Sequence, residues 1–299
     1  MRKRNFSSKN RLNLISLSFY GPALFVYILF TIFPACYSFF YSFTDWNGIS
    51  KEFNIIGIQN YIEIFAGERF LNAVKNTAVI TAANVIIVNI LAILLAVALD
   101  NVRKAKSFYR SVFFTPQVLS AIIVSYMWSY MMSYSSGIIN KVLEFVGLEN
   151  LQRDWLGDAG IVMYSLIIVI IWQGIGFYMV IYLANLQTIP NDLIEACKID
   201  GAGRISQFIN ITLPLLAPGI TTCVVLGTIM SLNVFDQIQA LTGGGPGFRT
   251  ESVVVSMVYE ATRSYRQGIA SAEAVVLFVA TAVVSLVMTK YLRGREVGY

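Results

Sequence analysis

The chain alternates long apolar runs with short polar connections. Six stretches contain no Asp, Glu, Lys or Arg: Leu12–Thr44, Asn76–Leu99, Ser111–Asn140, Ala159–Asn191, Ile205–Phe235 and Ala274–Thr289. Each lies in a window dense in Leu, Ile, Val, Phe and Ala. A bilayer core takes about 20 apolar residues per helical crossing. The last stretch, 16 residues long, reaches across if Lys290 snorkels to one interface and Glu273 stays near the other. Open strands cannot satisfy their backbone groups in hydrocarbon, so the segments predict helices. The alternation of a membrane barrel is absent. The expected fold is therefore all-α: a polytopic membrane protein with six transmembrane helices, at approximately 14–42, 74–99, 109–132, 160–186, 212–235 and 271–292. They form one transmembrane domain over 14–292, flanked by a basic tail, 1–13, and a short tail, 293–299.

Composition agrees. The 299 residues are 56% hydrophobic and 13% charged, with mean hydropathy +0.64, whereas a soluble domain carries about a quarter charged residues. Basic residues gather at alternate connections: Arg2, Lys3, Arg4, Lys9 and Arg11 in the first tail; Arg103, Lys104, Lys106 and Arg110; Lys198 and Arg204; then Lys290, Arg293 and Arg295. These regions hold 14 of the 22 Lys and Arg. The positive-inside rule places both termini in the cytoplasm. The net charge of +5 is thus a topology signal, and its dispersal over four membrane-flanking regions argues against nucleic acid as a partner. The first apolar window is too long for a signal-peptide core, and no small-x-small cleavage site follows it. It reads as a retained helix.

Several chemistries are excluded. No histidine is present, which removes Ser-His and Cys-His catalysis. Cys36, Cys197 and Cys223 form no CxxC pair and suggest neither a zinc site nor a disulfide. No catalytic residue, metal or cofactor is expected. Gly243-Gly244-Gly245-Pro246-Gly247 is followed by Phe248 and Arg249, without the Gly-Lys-Ser/Thr of a phosphate loop. It reads as a tight outer turn. Gly174-x-Gly176 reads as close helix packing.

The connection between the fourth and fifth spans, 190–214, is the most informative segment. Pro190 ends the membrane helix. Asp192 is placed to N-cap a short helix, with Glu195 completing a capping box. Leu193, Ile194 and Cys197 give that helix an apolar face, and a left-handed Gly201 stops it. A second short helix leads to Pro214. The anionic inner leaflet repels Asp192, Glu195 and Asp200, so the recipient of this helix–turn–helix is a protein.

Glu195-Ala196-Cys197, Gly201 and Ile211-x-Leu213-Pro214 match the EAA loop of ABC importer permeases, EAA-x3-G-x9-I-x-LP, with Cys197 where alanine is usual. Asn60-Tyr61, Asn76-Thr77, Arg110 with Phe114 and Pro116, Trp172-Gln173-Gly174, Ile199-Asp200-Gly201-Ala202 and Leu241-Thr242-Gly243-Gly244-Gly245-Pro246-Gly247 look like the maltose and multiple-sugar permease subfamily, so the resemblance covers nearly the whole chain. It implies the type I ABC importer permease fold in a bacterial cell membrane. The chain would form half of a pathway for a di- or oligosaccharide, as a heterodimer with a second, related permease. An extracytoplasmic sugar-binding protein delivers the substrate, and two cytoplasmic ATPase subunits hydrolyse ATP and couple through Glu195, Ala196, Cys197, Asp200, Gly201, Ile211, Leu213 and Pro214.

A sugar site needs polar and aromatic side chains at membrane depth. Gln173 and Phe177 lie one turn apart in the fourth span, and Gly227, Met230, Ser231 and Val234 share a face of the fifth, with Asn233 nearby. By the resemblance these spans line the path, with Ala121 of the third span beside them. The same polar groups also suit helix–helix packing. The alternative function is an ion-coupled secondary transporter, which usually carries ionisable groups at membrane depth and inverted repeats. Neither is apparent here. The topology is testable. A reporter active only in the cytoplasm should be active when fused after Lys104 or Arg204 and silent near Glu149 or Phe248; the reverse pattern overturns the orientation.

Overall fold

The computed structural model describes residues 20–102, 104–294 and 296. The basic first tail, the start of the expected first span, Arg103, Arg295 and most of the last tail lie outside them. The described residues are helical, with one isolated bridge between Thr44 and Ile55. In chain order the helices are α1 (Tyr20–Tyr41), α2 (Gln59–Ala66), α3 (Glu68–Asp100), α4 (Lys106–Val118), α5 (Ala121–Met131), α6 (Ile138–Phe145) and α7 (Val162–Leu186). There follow α8 (Asn191–Ile199), α9 (Arg204–Leu215), α10 (Ala217–Leu232), α11 (Asp236–Leu241), α12 (Val253–Thr262) and α13 (Gln267–Arg293).

Four helices, α1, α3, α7 and α13, are long and apolar enough to cross a membrane singly. The third and fifth apolar windows differ from the plain helices expected of them. The pair α4–α5 bends by 94° and the pair α9–α10 by 65°. Pro116 lies inside α4 and removes a helical donor, and Leu119 and Ser120 are then extended, with ψ 145° and 134°. Pro214 and Pro218 flank the second bend at Leu216. Each lacks an N–H and clashes with the preceding turn, the usual cause of a sharp kink.

The core is built on α3 and α7, which pack along their length. Ile80, Val88, Ala92 and Ala96 are fully buried on one stripe of α3 at multiples of four residues, the spacing whose ridges seat in a facing helix. The two alanines let the backbones approach closely. Leu166, Val169, Met179 and Tyr182 of α7 are equally buried. The Tyr182 hydroxyl donates to Asn89 Oδ1 at 2.5 Å, and Asn89 Nδ2 donates to the Val85 carbonyl at 2.6 Å. A hydroxyl so deep must be bonded, because a bare one is costly to bury.

At the opposite end from α8, a polar clamp ties the turn after α11 to α3. Gly243, Gly244 and Gly247 have φ of 60°, 86° and 55°, the left-handed region that glycine enters without penalty. This lets the expected tight turn fold back. Asn76 Nδ2 donates to the Phe248 and Glu251 carbonyls at 2.9 and 3.1 Å, and Thr77 Oγ1 accepts from Val253 N at 3.0 Å. Arg69 binds Glu251 at 2.5 Å and Glu260 at 3.2 Å, with its guanidinium 3.7 Å from the Tyr259 ring centre. Glu273, two turns into α13, is buried and accepts from Ser256 Oγ at 3.1 Å. The Glu251 side chain is only 2% exposed. Removing one partner of a buried pair strands the other charge, at a cost of about 3–5 kcal/mol. Arg69→Met should therefore lower the thermal unfolding temperature of the detergent-solubilised protein markedly; an unchanged transition overturns this role.

Candidate translocation cavity and projecting helix pair

A cavity of about 360 Å³ lies between α7, α10 and the breaks that follow α4 and α10. From α7 it is lined by Gln173 and Phe177, from α10 by Met230 and Ser231, and from the following break by Asn233 and Val234. Ala121, the first residue of α5, joins them. Gly227 does not line the cavity. Its missing side chain accommodates the Tyr178 ring, whose hydroxyl would sit 3.2 Å from an added Cβ. Five further polar side chains come from positions the sequence reading passed over: Asn84, Gln117, Tyr178, Asp236 and Gln237. Asn84 was legible in principle, as a polar residue on the otherwise apolar stripe of α3. Asp236 and Gln237 were not, because they reach the cavity only through the turn that starts α11.

The polar groups are tied to the helix breaks. The extended backbone at Leu119 leaves its carbonyl outside any helix, and Gln173 Nε2 donates to it at 3.2 Å. Gln237 Nε2 in turn donates to Gln173 Oε1 at 3.2 Å. Asn84 Nδ2 donates to Ser231 Oγ at 2.8 Å, joining α3 to α10. Amides and hydroxyls of this kind both donate and accept, and Phe177 adds an aromatic ring. The arrangement suits reversible binding of a hydroxylated solute.

The second candidate region is α8 with the start of α9. Pro190 precedes α8, as expected, but no side chain caps its N-terminus and the capping box is not formed. Pro190 occupies the cap position, which places Asp192 inside the first turn, where its charge favours the helix dipole. Ile194 and Cys197 are half-buried against the bundle, whereas Leu193, expected on the same face, is exposed. Gly201 has φ 79°. Ala202 N donates to the Cys197 carbonyl and Gly201 N to the Lys198 carbonyl, both at 3.1 Å, the two bonds of a Schellman stop. Glu195, Ala196, Asp200 and Gly201 are exposed, and so are Ile199 and Ile205. Ile211 and Leu213 are half-buried and Pro214 is exposed, in the bent base of the fifth span. Most of the site residues thus fall into two separate groups, one in the cavity and one on the projecting pair, with Gly227 behind the cavity wall and Ile211, Leu213 and Pro214 at the base of the fifth span.

A helical bundle with two broken spans, a polar cavity at the breaks and a projecting helix pair defines a multi-pass membrane transport component. The chain belongs to the family described as "Binding-protein-dependent transport system inner membrane component", whose match covers residues 88–295. It is 34% identical over 290 residues to the probable ABC transporter permease protein YurN of Bacillus subtilis (strain 168), covering 96% of this chain and 99% of that one. It is 35% identical to the multiple sugar-binding transport system permease protein MsmF of Streptococcus mutans, over 92% and 93% of the two chains. The fold is similar, with TM-score 0.84 and 22% identity, to a solved bacterial alginate ABC transporter in complex with an alginate pentasaccharide-bound periplasmic protein, over 99% of this chain and 100% of that one. The chain is an inner-membrane permease subunit, a transport component rather than a catalytic one.

One contact closes the crossing of α7 and α4 next to the cavity. Gly176 is buried where α7 crosses α4, and an added Cβ there would collide with the Phe113 carbonyl and the Phe114 backbone. Both are main chain and cannot swing aside. Gly176→Val should overpack this crossing by about 1–3 kcal/mol and lower the yield of folded protein on size-exclusion chromatography. Gly174→Ala, whose Cβ would meet only the Tyr178 ring at 3.6 Å, should not. Equal yields for the two would show that the crossing is not closed at Gly176.

Proposed function

We propose that this permease imports a carbohydrate, forms half of the translocation path with a second, related permease, and is driven by ATPase subunits that dock on α8 and α9 at the cytoplasmic face. The observation that carries the reading is one of continuity. The two helices that present Gln173 and Ser231 to the cavity are the two that lead directly into the projecting pair. From Gln173, α7 runs to Leu186 and, through Pro190, into α8. From Gly203, α9 runs through its bend into α10 and ends beside Ser231. At 1.5 Å per residue the first path is about 20 Å of unbroken helix. A tilt imposed on α8 therefore has only the short connections at 187–190 and 200–203 and the bend at Leu216 to cross before it reaches the two cavity walls.

Three features support the individual parts. The exposed Glu195, Asp200, Ile199 and Ile205 combine charge with apolar surface on a segment that projects from the bundle, a composition that fits a protein partner. The amide and hydroxyl lining beside Phe177 matches saccharide chemistry, and the similarity to a permease named for multiple sugars favours the same class of solute. Placing α8 in the cytoplasm follows the alternation of basic residues, which puts the turn at Phe248 on the side from which a binding protein delivers substrate. Residues 14–292 then form one transmembrane domain, with 190–214 as its coupling segment. Family membership favours ATP-driven import over the ion-coupled alternative.

The backbone at Gly201 tests the coupling role. An added Cβ there would meet nothing within 4 Å, so a substitution acts through its left-handed φ alone. The cost for an ordinary residue is about 1–2 kcal/mol, and asparagine tolerates the conformation better. Gly201→Val should abolish or strongly reduce uptake and solute-stimulated ATP hydrolysis while the protein still inserts. Gly201→Asn should retain more of both. Full coupling in Gly201→Val would refute docking through this turn.

A further inference from the structure

Asn84 sits in the middle of α3, on the stripe that otherwise carries Ile80, Val88 and Ala92, and is 5% exposed. Its amide nitrogen is used, donating to Ser231 Oγ at 2.8 Å. Its Oδ1 is buried and, among the described residues, accepts from nothing. A buried acceptor left bare costs about 1–3 kcal/mol. Packing alone does not require it, since a leucine would continue the stripe. The same residue borders the cavity, so a turn of its side chain would bring the unmet acceptor to a solute there.

The charge of the cavity points the same way. Among its lining residues are Asn84, Gln117, Gln173, Gln237 and one carboxylate, Asp236. Among the described residues, no lysine or arginine lines it. A saccharide hydroxyl offers a proton to Asn84 Oδ1. A uronate or phosphate would bring acceptor-only oxygens toward that acceptor and toward the Asp236 charge, with no cation to offset the repulsion. Sites that hold buried polar groups discriminate by leaving them unpaired when the wrong solute enters.

We propose that Asn84 is a solute-binding residue whose Oδ1 accepts a saccharide hydroxyl, and that together with Asp236 it restricts the cavity to uncharged saccharides. This assignment rests on the carbohydrate reading above and adds its charge class and a contact from α3. The competing role for Asn84 is glue between α3 and α10 through Ser231, and affinity measured on an intact complex separates the two.

The test uses the assembled importer in lipid nanodiscs, without its binding protein. Equilibrium binding is measured for neutral probes (maltotriose, cellotriose, raffinose) and for anionic ones (trigalacturonate, trimannuronate). At least one neutral probe should bind and neither anion should. Asn84→Ala should weaken the neutral probe about tenfold, the loss of one hydrogen bond, at unchanged complex yield. Asn84→Asp keeps the shape and an acceptor oxygen and should stay close to the original affinity for the neutral probe. Asp236→Asn should bring the anions into binding. If the anions bind the unmodified complex as well as the neutral probes, or if Asn84→Ala leaves affinity unchanged, the assignment is overturned. If Asn84→Ala fails to assemble, Asn84→Asp decides, and loss of neutral binding in its intact complex overturns the acceptor role. If no saccharide of either set binds, the carbohydrate reading itself falls and this assignment with it.

Discussion

The Leu119 carbonyl cannot be left bare inside a bilayer. A helix hides its backbone polar groups by bonding them to one another, and each break in a span releases some of them into a medium that offers no water. The 94° break between α4 and α5 does this at Leu119. The repair comes from Gln173 of α7, which is held in turn by Gln237 in the first turn of α11. Two amides from distant parts of the chain are thereby fixed around one point, and that point borders the cavity. The cavity's polar lining and the fold's integrity thus share one cause. Without the break there would be no carbonyl to satisfy, and no structural reason for glutamines at this depth.

The same economy governs the approach of the helices. Gly176 lets α7 press against the main chain of α4 just before the break, and Ala92 and Ala96 let α3 press against α7. Lipid tails are as apolar as leucine, so these contacts gain little from the hydrophobic effect and depend on close packing. Close packing also makes α3, α4 and α7 stiff relative to their surroundings. The bent α9–α10 pair joins them through α3 and α7, and its prolines place the hinge at the base of the fifth span rather than beside Ser231. A bundle rigid around the cavity and bent near the projecting pair is suited to passing on a displacement with little loss.

The membrane character, the six apolar windows and the Gly201 stop were legible because each follows from a local rule. A lipid-spanning helix needs length and no charge, and a left-handed stop needs glycine. The breaks were less legible. Pro116 and Pro214 were visible, yet a proline in a membrane helix can be tolerated, bent or decisive according to what its neighbours supply. Here the outcome depends on Gln173, 54 residues from Leu119 in sequence. Asp192 illustrates a subtler miss. Its spacing to Glu195 satisfied the capping pattern, but Pro190 took the cap position and shifted the frame. In the cavity, face-sharing within one helix located Gln173, Phe177, Met230 and Ser231. Gly227, on the same face, packs against Tyr178 and does not itself line the cavity. Face-sharing does not reach Asn84, which comes from the second span, because the cavity is a meeting of four segments.

The frame itself carries little information about the solute. This chain superposes over nearly its full length on a transporter solved with an acidic oligosaccharide bound to its periplasmic partner, at only 22% identity. A shared backbone can serve solutes of opposite electrostatic demand, because function resides in sites placed on folds. What differs between such chains must be the side chains that the breaks and crossings aim inward. In this chain those are amides, a hydroxyl, a phenol and one carboxylate. An anion entering such a space would shed its hydration and meet no lysine or arginine among the described lining residues, a loss that the low local dielectric enlarges. A neutral polyol exchanges water for amide and hydroxyl partners at nearly equal cost and gains the face of Phe177. On the assignment proposed above, the charge class of the solute follows from the few polar residues that the fold's own repairs have already fixed in place.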